Sequence, residues 1–257
     1  MTTLETETIG EGLDVILIHG WAMPALVWHN TARALAKHYR VTTLNLPGYG
    51  ASSALDNTTL STLSEHLVRQ LPQPAVWIGW SLGGLIAMHI ARHYPEHTKA
   101  LITIASLPKF VKDETWPAGI ESQIFSRFAH SLENDYHGVL QRFIALQELS
   151  SENSRLVIRQ LRKIIALSQR PTLETLRAGL DILSHTDLRN DMADLRCPFL
   201  QIVGEKDSII PASAALHLAK AYPRTKLCII RGRGHAPFLP TSTQVVNTVC
   251  DFIEHNL

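Results

Sequence analysis

Residues 76–84 read VWIGWSLGG, an apolar run followed by a serine that has a glycine two positions away on each side. The apolar run favours a buried strand, and the proline-free residues from Leu82 to His93 favour a helix. A G-x-S-x-G spacing between a strand and a helix is typical of a sharp turn, because glycines leave space where side chains would collide. The stretch therefore predicts that Ser81 is a nucleophile at the carboxyl edge of a sheet. The backbone N–H of Leu82 would be one donor to a developing oxyanion.

Short apolar runs of the same kind recur along the chain and alternate with helical patterns. We predict strands near residues 15–18, 41–46, 75–79, 100–105, 199–203 and 226–230. The pattern Thr62-x-x-Glu65 predicts a capping box at the start of one helix, and the last helix is expected from about Thr243 to Glu254. This alternation favours the α/β fold class, with a mainly parallel twisted sheet flanked by helices.

The segment from about residue 109 to 188 interrupts the alternation. It lacks a convincing strand and contains several amphipathic helical patterns, so we interpret it as a helical lid inserted before the strand that precedes Asp207. At 257 residues the chain is long enough for one large core, and we expect residues 1–257 to form a single domain. An independent domain within the insertion is the alternative, disfavoured because both of its ends join strands of the same predicted sheet.

Composition excludes several classes of function. The formal net charge of +1 gives no global reason to expect nucleic acid as a partner, and the apolar runs are far shorter than the roughly 18 residues that span a bilayer. The first residues are acidic and polar rather than basic and then apolar, so we expect a cytoplasmic protein. The three cysteines have no C-x-x-C spacing, and the chain contains no Walker A, H-E-x-x-H or dinucleotide-binding pattern, so we expect neither a metal nor a cofactor.

A second set of loop residues follows the first central strand. The His19-Gly20-Trp21 step resembles the oxyanion loop of the α/β-hydrolase family, in which the residue after glycine contributes its backbone N–H. The resemblance implies that Trp21 supplies the second oxyanion donor and that its indole walls the acyl pocket. We expect His19 to support this loop through hydrogen bonds rather than to act in catalysis.

A serine nucleophile needs a base within hydrogen-bonding reach and a group that orients the base. Asp207 lies directly after a predicted strand in the pattern G-x-x-D-x-x-I-P, and His235 follows the last predicted strand in a glycine-flanked loop. Both patterns resemble those of α/β-hydrolases, whose order along the chain is nucleophile, acid, histidine. We therefore predict a triad of Ser81, Asp207 and His235. Glu205 is the rival acid, but it lacks the Ile-Pro context.

Five segments spread along nearly the whole chain are HGW at 19–21, WIGWSLGG at 77–84, RFIALQ at 142–147, GLDIL at 179–183 and HAPF at 235–238. Together they resemble a narrower family, the biotin-pathway carboxylesterases that demethylate the methyl ester of pimeloyl-[acyl-carrier protein]. The resemblance implies that the RFIALQ segment borders the acyl channel. The alternative is that Phe143 and Leu146 are core residues of the lid. The substrate-binding residues implied are Trp21, Ser81, Leu82, Phe143, Ile144, Ala145, Leu146, Gln147 and His235.

A basic row on one predicted lid helix suits an acidic acyl-carrier protein as partner. The row clusters on one side of the helix and faces away from its apolar residues, so it is expected to lie in solvent; it consists of Arg155, Arg159, Arg162 and Lys163. Arg142 extends it. Any surface helix can show such a row, so docking rests on the resemblance, and the family can carry an arginine where this chain has Gly138.

Other functions remain open at this point. The same triad serves a general short-chain esterase, a thioesterase or a carbon-carbon bond hydrolase, and only selectivity for a carrier-linked ester separates them. A hydrolase fold used as a receptor is a further alternative, which labelling of the serine by a fluorophosphonate would exclude. The preferred function is a serine carboxylesterase, expected to be monomeric.

Overall fold

Seven strands form a single sheet at the centre of the molecule. The computed structural model describes residues 2–257, except for the side chains of residues 124 and 133. The strands follow one another in the spatial order β1-β3-β2-β4-β5-β6-β7. Only β1 is antiparallel to its neighbour, β3, and the other pairs are parallel. The strands are β1 (Thr6–Ile9), β2 (Asp14–Ile18), β3 (Arg40–Leu44), β4 (Ala75–Trp80), β5 (Thr98–Ile104), β6 (Phe199–Gly204) and β7 (Thr225–Ile230).

The predicted α/β fold is confirmed, and the six predicted strands correspond to β2 through β7. Strand β1 was not predicted, because its sequence TETI is mostly polar and mostly exposed at the edge of the sheet. Its hydrogen bonds to β3 and the contact between the hydroxyls of Thr8 and Thr42, 2.9 Å apart, hold it in place. An edge strand with an exposed face need not show the apolar pattern that reveals a buried strand.

Helices cover both faces of the sheet, as expected for parallel strands. Outside the lid they are α1 (His29–Leu35), α2 (Leu60–Gln70), α3 (Leu82–His93), α9 (Ala212–Ala221) and α10 (Thr243–Asn256), with 3-10 turns at Ala25–Trp28 and Pro95–His97. The capping box predicted at Thr62 was placed one turn too late. Thr59 is the N-cap, and its side chain and that of Thr62 exchange hydrogen bonds with each other's backbone N–H groups.

Five helices lie between β5 and β6. They are α4 (Ser122–Asn134), α5 (Tyr136–Gln147), α6 (Ser154–Ala166), α7 (Leu173–His185) and α8 (Arg189–Ala193). The base of this insertion is closed by charged side chains from its two ends. Lys109 is ion-paired with Asp113 and lies 3.0 Å from a carboxylate oxygen of Asp187, which also pairs with Arg189 at 2.7 Å. The two ends of the insertion therefore lie next to each other. Its interpretation as a lid on a single domain stays a prediction.

None of the helices within residues 2–257 combines the length and the apolar character needed to cross a membrane.

Candidate active site

Ser81 occupies the turn between β4 and α3 in a strained backbone conformation. Its φ of 54° lies in the left-handed region that residues other than glycine rarely adopt. The backbone of Ser81 is held on both sides, by its own N–H to the carbonyl of Ile104 at 2.9 Å and by the Ser106 hydroxyl, which donates to the Ser81 carbonyl at 2.8 Å. A Cβ on Gly79 would overlap the backbone of Gly83, so the turn requires glycine there.

Asp207 and His235 form a fully buried pair. The Nδ1–H of His235 donates to Asp207 Oδ2 at 2.8 Å, and the other carboxylate oxygen accepts the backbone N–H groups of Ile209 and Ile210 at 2.8 and 2.9 Å. These bonds hold the carboxylate in a fixed orientation toward the imidazole. They also assign the proton of neutral His235 to Nδ1, which leaves Nε2 as the basic nitrogen.

The basic nitrogen of His235 is buried, and no atom within the described residues hydrogen-bonds to it. Its bond to the Ser81 hydroxyl is therefore not formed in this conformation. Hydrogen bonds of this kind commonly tighten only when substrate is bound, so an open bond leaves Ser81 a candidate nucleophile. Ser81 itself is only 4% exposed, and the base has no direct contact with solvent.

The backbone around His235 is fixed by three residues, one of which, Glu148, the sequence did not indicate. The indole N–H of Trp80 donates to the His235 carbonyl at 2.8 Å, and the His235 N–H donates to the carbonyl of Gln147 at 2.9 Å. The carboxylate of Glu148 accepts the next backbone N–H, that of Ala236, at 3.0 Å. Glu148 ends an amphipathic helix, where a glutamate ordinarily faces solvent, so no pattern distinguishes it.

The rival acid, Glu205, has a different partner. Its carboxylate accepts the backbone N–H of Gly232 at 2.9 Å, three residues before the histidine. Asp207, not Glu205, is the carboxylate hydrogen-bonded to the imidazole.

The loop after β2 passes directly beside Ser81. A Cβ on Gly20 would lie 3.2 Å from the Cβ of Ser81, so the two segments are in contact. Within the described chain, neither the Trp21 N–H nor the Leu82 N–H donates a hydrogen bond. Two unpaired N–H groups on adjacent segments are the arrangement expected of an oxyanion site. The next residue, Ala22, has a φ of 59° and donates its N–H to the hydroxyl of Tyr49 at 3.2 Å.

His19 holds this loop through hydrogen bonds at both ring nitrogens. Its Nε2 accepts the backbone N–H of Leu46 at 2.9 Å, so Nδ1 must carry the proton that bonds the Gly20 carbonyl at 2.8 Å. Complete burial lowers the pKa of His19 from 6.5 to about 4, against a smaller opposing effect of the Gly20 bond. His19 is therefore neutral at pH 7 and bonded at both nitrogens.

Aromatic side chains from the lid surround the indole of Trp21. The ring of Phe143 lies 5.0 Å away and that of Phe128 5.4 Å away, both edge to face. The Trp21 indole N–H donates to the carbonyl of Leu176 at 2.8 Å, and a Cβ on Gly179 would lie 2.7 Å from the ring. The Gly179 in the GLDIL segment thus allows α7 to approach Trp21. Phe128 was not predicted, since it belongs to an amphipathic helix without a motif.

The five residues of the FIALQ segment have different surroundings. Ile144 is buried in the lid, Ala145 is half-buried, and Leu146 is 41% exposed on the outer surface. Phe143 is half-buried against Trp21. Gln147 is buried, and neither its amide oxygen nor its amide nitrogen has a partner among the described residues. The structure thus brings Phe143 and Gln147 toward the site and turns Leu146 away from it.

The basic row lies in solvent on α6. Its four residues, Arg155, Arg159, Arg162 and Lys163, are exposed, whereas the opposite face of the helix is buried. Arg142 is also exposed but lies 3.3 Å from a carboxylate oxygen of Asp135. The same aspartate caps α5 by accepting the N–H of Gly138 at 2.8 Å, and a side chain at Gly138 would overlap it. Gly138 therefore leaves room for the Asp135 carboxylate that compensates the charge of Arg142.

Comparisons with known proteins identify the family of the chain. Residues 15–241 match the family described as having the alpha/beta hydrolase fold. A pimeloyl-[acyl-carrier protein] methyl ester esterase of Yersinia pseudotuberculosis is 38% identical over 257 residues, covering 100% of this chain and 99% of that protein. The protein of the same name from Vibrio vulnificus is 37% identical over 238 residues, or 93% of each chain. The structure of a bromoperoxidase from Bacillus anthracis superposes with a TM-score of 0.89 over 98% of this chain and 96% of the other, at 23% identity, and so supports the fold alone.

Proposed function

The chain belongs to the α/β-hydrolase family, and we propose that it is a serine carboxylesterase that hydrolyses the methyl ester of pimeloyl-[acyl-carrier protein]. The products are methanol and pimeloyl-[acyl-carrier protein], and the reaction belongs to biotin biosynthesis. Relatives named for this activity align over 100% and 93% of the chain, which supports the substrate as well as the reaction class. We further propose that the enzyme works in the cytoplasm as a monomer and needs no cofactor.

The observation that supports the reaction class is the buried Asp207–His235 pair, whose Nε2 has no partner among the described residues. Trp80, the residue before the strained Ser81, donates its indole N–H to the His235 carbonyl and so ties the two loops together. In the proposed mechanism, Ser81 attacks the ester carbonyl while Nε2 of His235 takes the hydroxyl proton. Asp207 keeps the other proton on Nδ1 and stabilises the imidazolium that forms. The backbone N–H groups of Trp21 and Leu82 stabilise the oxyanion, since neither donates a hydrogen bond to another described residue.

The second half of the reaction uses the same groups in reverse. His235 returns its proton to the departing methoxide oxygen, which leaves as methanol and generates an acyl-Ser81 ester. A water molecule deprotonated by His235 then attacks this ester, and Ser81 is regenerated with release of the carboxylic acid.

The aromatic cluster of Trp21, Phe128 and Phe143 provides an apolar wall for the methylene chain that links the ester to the carrier. The unpartnered amide of Gln147 supplies a polar contact at the end of this wall. Because Ser81 is almost completely covered, the lid helices must separate before a carrier-bound chain can reach it. Closure afterwards removes bulk water from around the developing charge, leaving room for the attacking water molecule, and strengthens the oxyanion contacts.

The basic row on α6 is proposed as the docking site for the acidic carrier. Its four cations are exposed, and none of them forms an ion pair with an acidic residue in the described part of the chain. Arg142 is expected to contribute less, because Asp135 compensates its charge. Attraction between opposite charges at such a surface raises the rate of encounter and the affinity, and both effects decrease with salt.

The test compares the hydrolysis of pimeloyl-carrier methyl ester with that of a free short-chain ester. Ser81→Ala should abolish both activities. The double reversal Arg155→Glu/Arg159→Glu should raise KM for the carrier-linked ester at least about tenfold, the effect of roughly 1.4 kcal/mol of lost attraction, and leave the free ester unaffected. A matched reversal, Lys99→Glu/Arg224→Glu, changes two exposed cations at the amino ends of β5 and β7 and should change neither activity.

A wild-type enzyme that hydrolyses the free ester but not the carrier-linked ester would contradict the proposed substrate and favour a general short-chain esterase. Equal sensitivity to the two double reversals would contradict docking at α6. Failure of a fluorophosphonate to label Ser81 would contradict the serine mechanism itself.

A further inference from the structure

The turn after α5 reverses the usual distribution of polar and apolar side chains. Glu148 is 1% exposed, whereas its neighbour Leu149 is 70% exposed. Burying a carboxylate costs free energy unless hydrogen bonds replace its water. The turn would ordinarily place the leucine inward, so the inward glutamate must be held by specific partners.

These partners belong to the loop that carries His235. One carboxylate oxygen of Glu148 accepts the Ala236 N–H at 3.0 Å, and the carbonyl of the preceding lid residue, Gln147, accepts the His235 N–H at 2.9 Å. On the other side of the histidine, a Cβ on Gly234 would lie 2.6 Å from the second carboxylate oxygen of Glu148 and 2.6 Å from the Gln147 carbonyl oxygen. Two consecutive lid residues thus enclose three consecutive residues of the catalytic loop.

Burial of the Glu148 carboxyl group costs free energy, as its raised pKa indicates. Desolvation raises the pKa of its carboxyl group, and the nearby carboxylate of Asp207 acts in the same direction. The Ser151 hydroxyl, the Ala236 N–H and the imidazole of His235 oppose this rise. Glu148 is buried behind the proposed catalytic base despite this cost in desolvation free energy. We take this as a sign that its hydrogen-bonding group is needed at that position.

We propose that Glu148 is a positioning residue for His235. By accepting the Ala236 N–H it fixes the loop backbone, and hence the direction of Nε2, only when the end of α5 is seated against this loop. The active geometry of the base therefore depends on the lid. This inference rests on the proposed function through its assignment of His235 as the base. It does not depend on which ester is the substrate.

Two substitutions separate hydrogen bonding from charge. Glu148→Gln removes the charge but keeps the length and an acceptor oxygen, so the Ala236 bond can still form. Glu148→Asp keeps the charge but shortens the side chain by one methylene, which moves the acceptor out of hydrogen-bonding range. Positioning predicts that glutamine preserves activity and aspartate does not, whereas a purely electrostatic role predicts the opposite order.

The matched control is Glu152→Gln. Glu152 is exposed in the same lid turn, and its hydrogen bond to the Gly232 carbonyl uses the backbone N–H, which the substitution retains. It removes the same charge from the same region and should leave activity unchanged.

The experiment measures kcat and KM on a p-nitrophenyl ester of a short fatty acid, and the rate at which a fluorophosphonate labels Ser81. For Glu148→Asp, kcat and the labelling rate should fall by about 10²-fold, as expected for a displacement near 1 Å, with KM nearly unchanged. Glu148→Gln should keep both rates within about fivefold of wild type, under 1 kcal/mol of transition-state stabilisation. Thermal unfolding of each variant checks that the fold persists.

Wild-type kcat in Glu148→Asp would overturn the proposal, as would equal losses in the aspartate and glutamine variants. If Glu148→Asp does not fold, a kcat loss of about 10²-fold in Glu148→Gln alone would also overturn it. Retained activity in Glu148→Gln would then support it. Because both readouts use small reagents, a wild-type enzyme inactive on the carrier-linked ester would refute the proposed substrate and leave this inference standing.

Discussion

Replacing His19 with glutamine is expected to reduce the loss of stability that accompanies acidification from pH 7 to pH 5. His19 is completely buried, and its pKa is lowered from 6.5 to about 4. Between these two values the unfolded chain binds a proton at this residue and the native protein does not. The free energy of unfolding therefore decreases as pH falls below 6.5, and this decrease is complete only below pH 4.

The magnitude follows from the two pKa values. Linkage gives a loss of about 2 kcal/mol between pH 7 and pH 5, and about 3 kcal/mol once the pH is below both values. Glutamine does not titrate and can accept the Leu46 N–H in place of the imidazole. The variant should therefore be less stable at pH 7 and yet lose about 2 kcal/mol less on acidification.

Urea unfolding at pH 7, 6 and 5 measures this difference. Other titrating groups contribute equally to the pH dependence of both proteins, so their contributions cancel in the difference. One of them is the partly buried His89, the pKa of which is also lowered to about 4 by desolvation. Free energies of unfolding that fall in parallel for the wild type and His19→Gln would refute the reasoning. An NMR titration that finds His19 protonated above pH 6 would refute its premise directly.

Two further predictions concern the turn and the base of the lid. Gly79→Ala should destabilise the protein by roughly 1–3 kcal/mol and abolish fluorophosphonate labelling of Ser81, because the new Cβ overlaps the backbone of Gly83; normal labelling at normal thermal stability would contradict this. Asp187→Asn should accelerate proteolysis within residues 109–188 at low salt, because it removes the charge that holds Lys109 at 3.0 Å. The substitution should change the free energy of unfolding by less than about 1 kcal/mol, since the ion pair is partly exposed. A difference in proteolysis rate from wild type that persists at high salt would argue against a role for this ion pair.

Some of the site was predictable because its chemistry depends on local backbone geometry. The turn at Ser81 needs glycine two positions away on each side, and the loops holding Asp207 and His235 begin at the ends of strands, so each leaves a short motif in the sequence. The alternation of apolar runs and amphipathic helices likewise predicted β2 through β7. Strand β1 was missed because an exposed edge strand need not have an apolar pattern.

Other features depended on segments that lie far apart in the chain. Phe128 and Phe143 meet Trp21 only because the lid folds back over β2, and Asp135 reaches Arg142 only because residue 138 lacks a side chain. A single amphipathic helix specifies which face is buried but not which neighbour covers it.

The sequence by itself therefore determined the fold class and the candidate nucleophile, acid and base, because these follow from local patterns of about ten residues. Only the tertiary structure decided that Glu148 is buried behind His235 while Leu149 is exposed. The direction of a side chain at the end of a helix is set by the partner that satisfies it, and that partner, the Ala236 N–H, lies 88 residues further along the chain.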